Sequence, residues 1–81
     1  MPPERPPEWV LARRRQIGDA IRETRRTADL TQEELALRAG IDRQTLNRIE
    51  RGHASARLDT LILMADAIGV PLADLVRESG G

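Results

Sequence analysis

Between Gly40 and Gly52 the sequence GIDRQTLNRIERG carries five donor-rich side chains, Arg43, Gln44, Asn47, Arg48 and Arg51. Wound into a helix at about 100° per residue, they share an arc of about 140°, while Leu46 and Ile49 project from the other side. Guanidinium and amide groups of this kind pair bidentately with guanine O6 and N7, or with adenine N6 and N7. A solvated helix face normally mixes acids with bases, and the chain holds 13 of each, yet no acid falls in this arc. The stripe therefore points to base reading more than to an ordinary charged surface.

Composition narrows the alternatives. At 81 residues the chain has room for one domain, close to the size at which a single core becomes marginal without disulfides, metal or a partner subunit. With no Cys and one His, a disulfide framework, a Cys-ligated zinc site and a thiol nucleophile are excluded. Phe and Tyr are absent and Trp9 is the only aromatic residue, so base-stacking platforms are not expected. All 13 basic residues are Arg, a usage that fits genome composition more than function, although Arg is also the residue that reads guanine best. The longest apolar run, LILMA at 61–65, ends at Asp66, far short of the roughly 18 residues a membrane helix needs. MPPERPPE lacks the basic flank and apolar core of a signal peptide. These features predict a cytoplasmic protein, nucleoid-associated when bound to DNA, without membrane, metal or other cofactor.

The elements that must hold the stripe are legible in caps and periodicity. Four Pro in the first seven residues predict a flexible N-terminal tail over 1–7, and 79–81 reads as a flexible C-terminus. The domain spans 8–78. Apolar positions from Trp9 and Val10 through the Arg13 stem, Ile17, Ala20, Ile21 and Thr24 predict a long first helix over 8–27, with Gly18 as a tolerated weak point. Thr31 and Glu34 form a capping box, with Leu30 and Leu35 placed as a hydrophobic staple, opening a helix over 32–39. Gly40 ends it, Asp42 caps the next helix over 43–51, and Gly52 stops that one. A fourth helix over 58–68 should bury Leu58, Leu61, Ile62, Ala65 and Ile68, and a fifth should start at Pro71 and run over 71–77. The predicted class is all-α, a compact five-helix domain with an extended first helix.

Two short helices joined at Gly40, with Ala36 small at the corner and Leu35, Ala39, Ile41, Leu46 and Ile49 as an apolar seam, fit a helix-turn-helix. An ordinary helical hairpin explains the seam but not the outward stripe. The stretches LTQEELALRAGIDRQTLNRIERG and LDTLILMADAIGVPLADLV closely resemble the Xre family of Cro and lambda-repressor-like helix-turn-helix domains, over about residues 17–77. That resemblance implies a lambda-repressor-like domain whose third helix enters the major groove of double-stranded DNA, usually as a homodimer on a two-fold operator. It implies base contacts from Arg43, Gln44 and Arg48, a variable residue at Asn47, and backbone contacts from Gln32 and Arg51. Asn47 joins the base-reading set on its place in the stripe.

Glu50 is the exception in the opening stretch, since at the same spacing it falls just outside the arc, between Arg43 and Leu46. Spacing alone allows it to be a plain surface acid; the resemblance implies a structural ion pair with Arg25. Arg57 stands where the resembled family commonly has a Ser or Thr cap, so it is either tolerated there or used for a phosphate. His53 has no second His, Cys or carboxylate cluster beside it and reads as a surface or phosphate contact. No catalytic constellation is recognisable, so no enzyme is expected.

The zero net charge is an average. Residues 43–57 hold four Arg against Glu50, a local +3, whereas 58–81 hold Arg77 against Asp59, Asp66, Asp74 and Glu78, a local −3. A basic face of this kind steers DNA and adds salt-dependent affinity. The sequence therefore predicts a DNA-binding transcriptional regulator. One short helix reads few base pairs, and two half-sites about 34 to 36 Å apart are the usual remedy, so a homodimer is expected. With no room for a separate effector domain, no small-molecule effector is expected. The competing reading is a protein-interaction or antitoxin-like module on the same fold, using Leu63, Trp9 and Val10 as an apolar patch.

Overall fold

A computed structural model describes residues 5–78, and the expectations for 1–4 and 79–81 lie outside the described residues. Five helices follow one another: α1 (Glu8–Thr27), α2 (Gln32–Ala39), α3 (Arg43–Glu50), α4 (Leu58–Ile68) and α5 (Ala73–Val76). Each contributes one completely buried aliphatic side chain to a common centre: Ile21, Leu35, Leu46, Met64 and Leu75 in chain order. Burial of a side chain this size is worth about 1.5–3 kcal/mol, and here it ties every helix to the same core.

Local chemistry sets the element ends. The Thr31 hydroxyl accepts from the Glu34 amide at 3.0 Å and the Glu34 carboxylate accepts from the Thr31 amide at 2.9 Å, so two otherwise orphaned donors are satisfied reciprocally. Leu30 and Leu35, on either side of that cap, are both buried. Asp42 caps α3 by accepting from the Thr45 amide at 2.8 Å and the Thr45 hydroxyl at 2.7 Å. Between the two helices Gly40 takes φ 75°, and the Ile41 amide reaches back to the Ala36 carbonyl at 3.0 Å. A residue with a Cβ is strained at that φ, which is why glycine makes the corner.

α3 stops at Glu50, one residue before the expected Arg51, which serves as its C-cap. Gly52 (φ 75°) then closes the end: its amide bonds the Ile49 carbonyl and the His53 amide bonds the Arg48 carbonyl. α5 is shorter than the expected 71–77. The amides of Asp74 and Leu75 reach only three residues back, to Pro71 and Leu72, so the first turn is not α-helical.

Packing overrules periodicity at three places. α4 is apolar on most of its circumference, so its sequence leaves the choice of face open; packed against α2 and α5, it buries Met64 and Ala65, while Leu58 and Ile62, expected inside, are exposed. Trp9, placed at helical spacing with the apolar positions of α1 and also offered as part of an apolar patch, is 74 % exposed. Gly18 is not a weak point that the helix merely tolerates. A Cβ built there would lie 2.5 Å from the Ile49 carbonyl oxygen and 2.6 Å from that of Glu50, so α1 and the end of α3 touch backbone to backbone. The second close approach is at Gly52, where a Cβ would sit 2.5 Å from Cγ of Arg15. Arg13 secures the other end of the fold, donating to the Val76 carbonyl and lying 3.5 Å from Glu78.

Gly18→Ala is therefore expected to destabilise the domain by about 1–3 kcal/mol in urea unfolding, although alanine is the better helix former by about 1 kcal/mol. The caps supply a second expectation. The Glu34 carboxyl is held below its usual range, first by the Thr31 amide and then by the Thr31 hydroxyl. Asp42 is lowered by the Thr45 hydroxyl and then by the Thr45 amide. Because both groups hold protons less tightly folded than unfolded, their stabilisation is complete above the ordinary carboxylate range and is lost as pH falls below about 4. Urea midpoints at pH 6 and pH 3 should diverge less for the Glu34→Gln/Asp42→Asn double variant than for the unaltered chain.

Candidate nucleic-acid interface

Gln32, Arg43, Gln44, Asn47 and Arg48 line one open concavity of about 420 Å³ on the outer side of α2 and α3. Arg43, Gln44 and Arg48 are exposed, and Gln32 and Asn47 are half-buried. The opposite side of α3 buries Leu46, Ile49 and Glu50. Alternation of this kind follows from the sequence: the helix is amphipathic, and its acid is turned inward with the aliphatics. Arg51, His53 and Arg57 are also exposed but do not line the concavity. Arg57 occupies the N-cap of α4 with no side-chain capping bond, as an arginine must, because it has no acceptor to offer.

Beneath the concavity lies the Arg25–Glu50 pair. Arg25 Nε donates to Glu50 Oε2 at 2.7 Å, Nη2 to Oε1 at 2.9 Å, and Nη1 to the Leu30 carbonyl at 2.9 Å. The residues are 7 % and 2 % exposed, so each charge has little water and relies on the other. The bidentate geometry is the one that best compensates such desolvation.

Gln32 connects the pair to the outer face. Its Nε2 donates to Glu50 Oε1 at 3.1 Å, and its Oε1 accepts from Asn47 Nδ2 at 3.3 Å. This link had no signal in the sequence, where Gln32 stands 18 residues before Glu50 and 15 before Asn47. The resemblance marked Gln32 only as a backbone contact. Only a turn that folds α2 onto α3 brings the three together.

A short two-helix corner, a donor-lined outer face on its second helix and three supporting helices define a helix-turn-helix domain. The chain belongs to the HTH_3 family, whose model, described as helix-turn-helix, matches residues 21–75. The chain is 41 % identical over 63 residues to the cryptic phage CTXphi transcriptional repressor RstR of Vibrio cholerae, covering 78 % of this chain and 57 % of the repressor. It is 37 % identical over 62 residues to the antitoxin PezA of Streptococcus pneumoniae, covering 76 % of this chain and 39 % of the antitoxin. The chain thus spans about half or less of these two relatives. Among solved structures, the restriction-modification controller protein C.AhdI from Aeromonas hydrophila superposes with a TM-score of 0.77 at 31 % identity, over 79 % of this chain and 97 % of that one.

Two further features bound the chemistry. Among the described residues, no group of three or more His, Cys, Asp or Glu is placed to hold a metal ion. No helix among them is long and apolar enough to cross a membrane.

Arg25→Met strands the Glu50 carboxylate in the interior and is expected to cost about 3–5 kcal/mol in denaturant unfolding, a large part of a small domain's stability. Arg25→Met combined with Glu50→Leu should recover most of that loss, because the stranded charge is then gone.

Proposed function

We propose that this chain is a sequence-specific regulator of transcription that binds double-stranded DNA and reads the major groove with α3. The observation that carries this reading is the concavity lined by Gln32, Arg43, Gln44, Asn47 and Arg48, every one a donor-bearing side chain. Arg43, Gln44, Asn47 and Arg48 take the base edges. Gln32, Arg51, His53 and Arg57 serve the phosphates. Arg43 and Arg48 match guanine O6 and N7, while Gln44 matches adenine N6 and N7. The repressor and controller names among its relatives support the same assignment. The protein acts as a homodimer on two half-sites, without catalysis and without a small-molecule effector. Exposed Leu58, Ile62 and Leu63 on α4 supply apolar surface for the second subunit.

A second reading, a protein-interaction or antitoxin-like module, is favoured by a different surface. Trp9, Val10, Ile17, Ala54, Ala56 and Leu61 are among the residues that line a largely apolar groove of about 330 Å³, which shares no lining residue with the donor-lined concavity. The antitoxin relative gives this reading a further point of support.

Selection from a random duplex pool, followed by titration of the chosen site at several salt concentrations, separates the two. Gln44→Ala and Arg48→Ala should each cost about 1–3 kcal/mol on the selected site and relax base preference. Arg51→Ala should weaken all sequences alike and reduce the salt slope by about one. Absence of salt-dependent binding to any duplex would leave the interaction-module reading standing.

A further inference from the structure

Resting on the DNA-reading function proposed above, we infer that Gln32 is a positioning residue: it fixes which polar atom Asn47 offers to a base, and that atom selects adenine. The inference follows from donor and acceptor bookkeeping along a chain of four side chains. Both Glu50 oxygens accept from Arg25, so Glu50 presents only lone pairs to its remaining neighbour. Gln32 must meet it with the amide nitrogen, at 3.1 Å. The Gln32 oxygen is then the atom left for Asn47, and only the Asn47 nitrogen can donate to it, at 3.3 Å. The orientation of each amide is thereby dictated by the buried ion pair, whereas an isolated amide is free to turn over.

The outcome is a defined pattern at the concavity. Asn47 Oδ1 accepts no hydrogen bond from a described residue, and one Asn47 N–H is also left over once Gln32 has taken the other. An acceptor beside a donor is the complement of adenine, whose N6 amino group donates and whose N7 accepts in the major groove. Cytosine offers the N4 donor without an adjacent acceptor, while guanine and thymine confront Oδ1 with the acceptors O6 and O4. Without Gln32 the amide of Asn47 can turn over and present its nitrogen first, which loses the preference without removing any group that touches the base.

The test is selection from a random duplex pool with the full chain, Gln32→Met, Asn47→Ala and the double variant, with thermal melts of all four. The unaltered chain should prefer adenine about tenfold at one position of each half-site. Asn47→Ala identifies that position by abolishing the preference there. Gln32→Met should reduce the preference at the same position to about twofold, and the double variant should match Asn47→Ala alone, because the two residues act as one unit. A Gln32→Met variant that binds every sequence more weakly but keeps its adenine preference overturns the inference and leaves Gln32 only the phosphate contact proposed above; the DNA-reading function would survive that result. Preference for guanine or thymine at the Asn47 position, or no change on Asn47→Ala, overturns it equally. If the unaltered chain selects no sequence, the DNA-reading function itself falls, and this inference with it.

Discussion

The buried pair between Arg25 and Glu50 is the constraint on which the outer face of α3 depends. Two charges with almost no access to water are tolerable only when each is fully engaged, and Arg25 achieves this by spending three donors on two elements. Through Glu50 it holds α3, and through the Leu30 carbonyl it holds the turn that enters α2. Gln32 adds the first residue of α2 to the same carboxylate. α1, α2 and α3 consequently meet at one polar point inside an otherwise aliphatic core. Apolar packing alone specifies such a helix less sharply, since aliphatic contacts survive small rotations about its axis that would break a bidentate ion pair.

The same end of α3 is held by shape as well. Gly18 lets the carbonyls of Ile49 and Glu50 lie against the backbone of α1, and Gly52 lets the chain leave α3 across Arg15. Both sites lie at the C-terminal end of α3, where Ile49 and Glu50 are buried. The helix is thus anchored along its inner face and kept open along its outer one. Charge follows the same division: the basic residues of 43–57 sit on or just after α3, while the acids of 58–78 belong to α4, α5 and the segments after them. A chain of zero net charge can in this way carry a basic face.

Much of the fold was legible because its signals are local. The capping box at Thr31, the Asp42 cap and the glycine corner at Gly40 each act within a few residues, so their chemistry reads directly from sequence. The donor stripe of α3 was legible for the same reason, as an arc on one helix with aliphatics behind it. α4 was less so: with apolar residues on most sides, several faces satisfy the pattern, and Met64 rather than Leu58 or Ile62 went inside because α2 and α5 cover that side. Family resemblance named Arg25 as the partner of Glu50, but only coordinates give the pair its burial and its geometry.

By itself, then, the sequence determined where helices begin and turn and which side chains share the outward arc of α3, because hydrogen-bonded caps and helical periodicity are properties of neighbouring residues. Tertiary structure alone decided that Gly18 is a contact point, that α4 hides Met64, and that Gln32 joins Glu50 to Asn47 across 18 and 15 residues of chain. These depend on how helices cross in space, and the distance between two crossing backbones is not encoded in the period of either one.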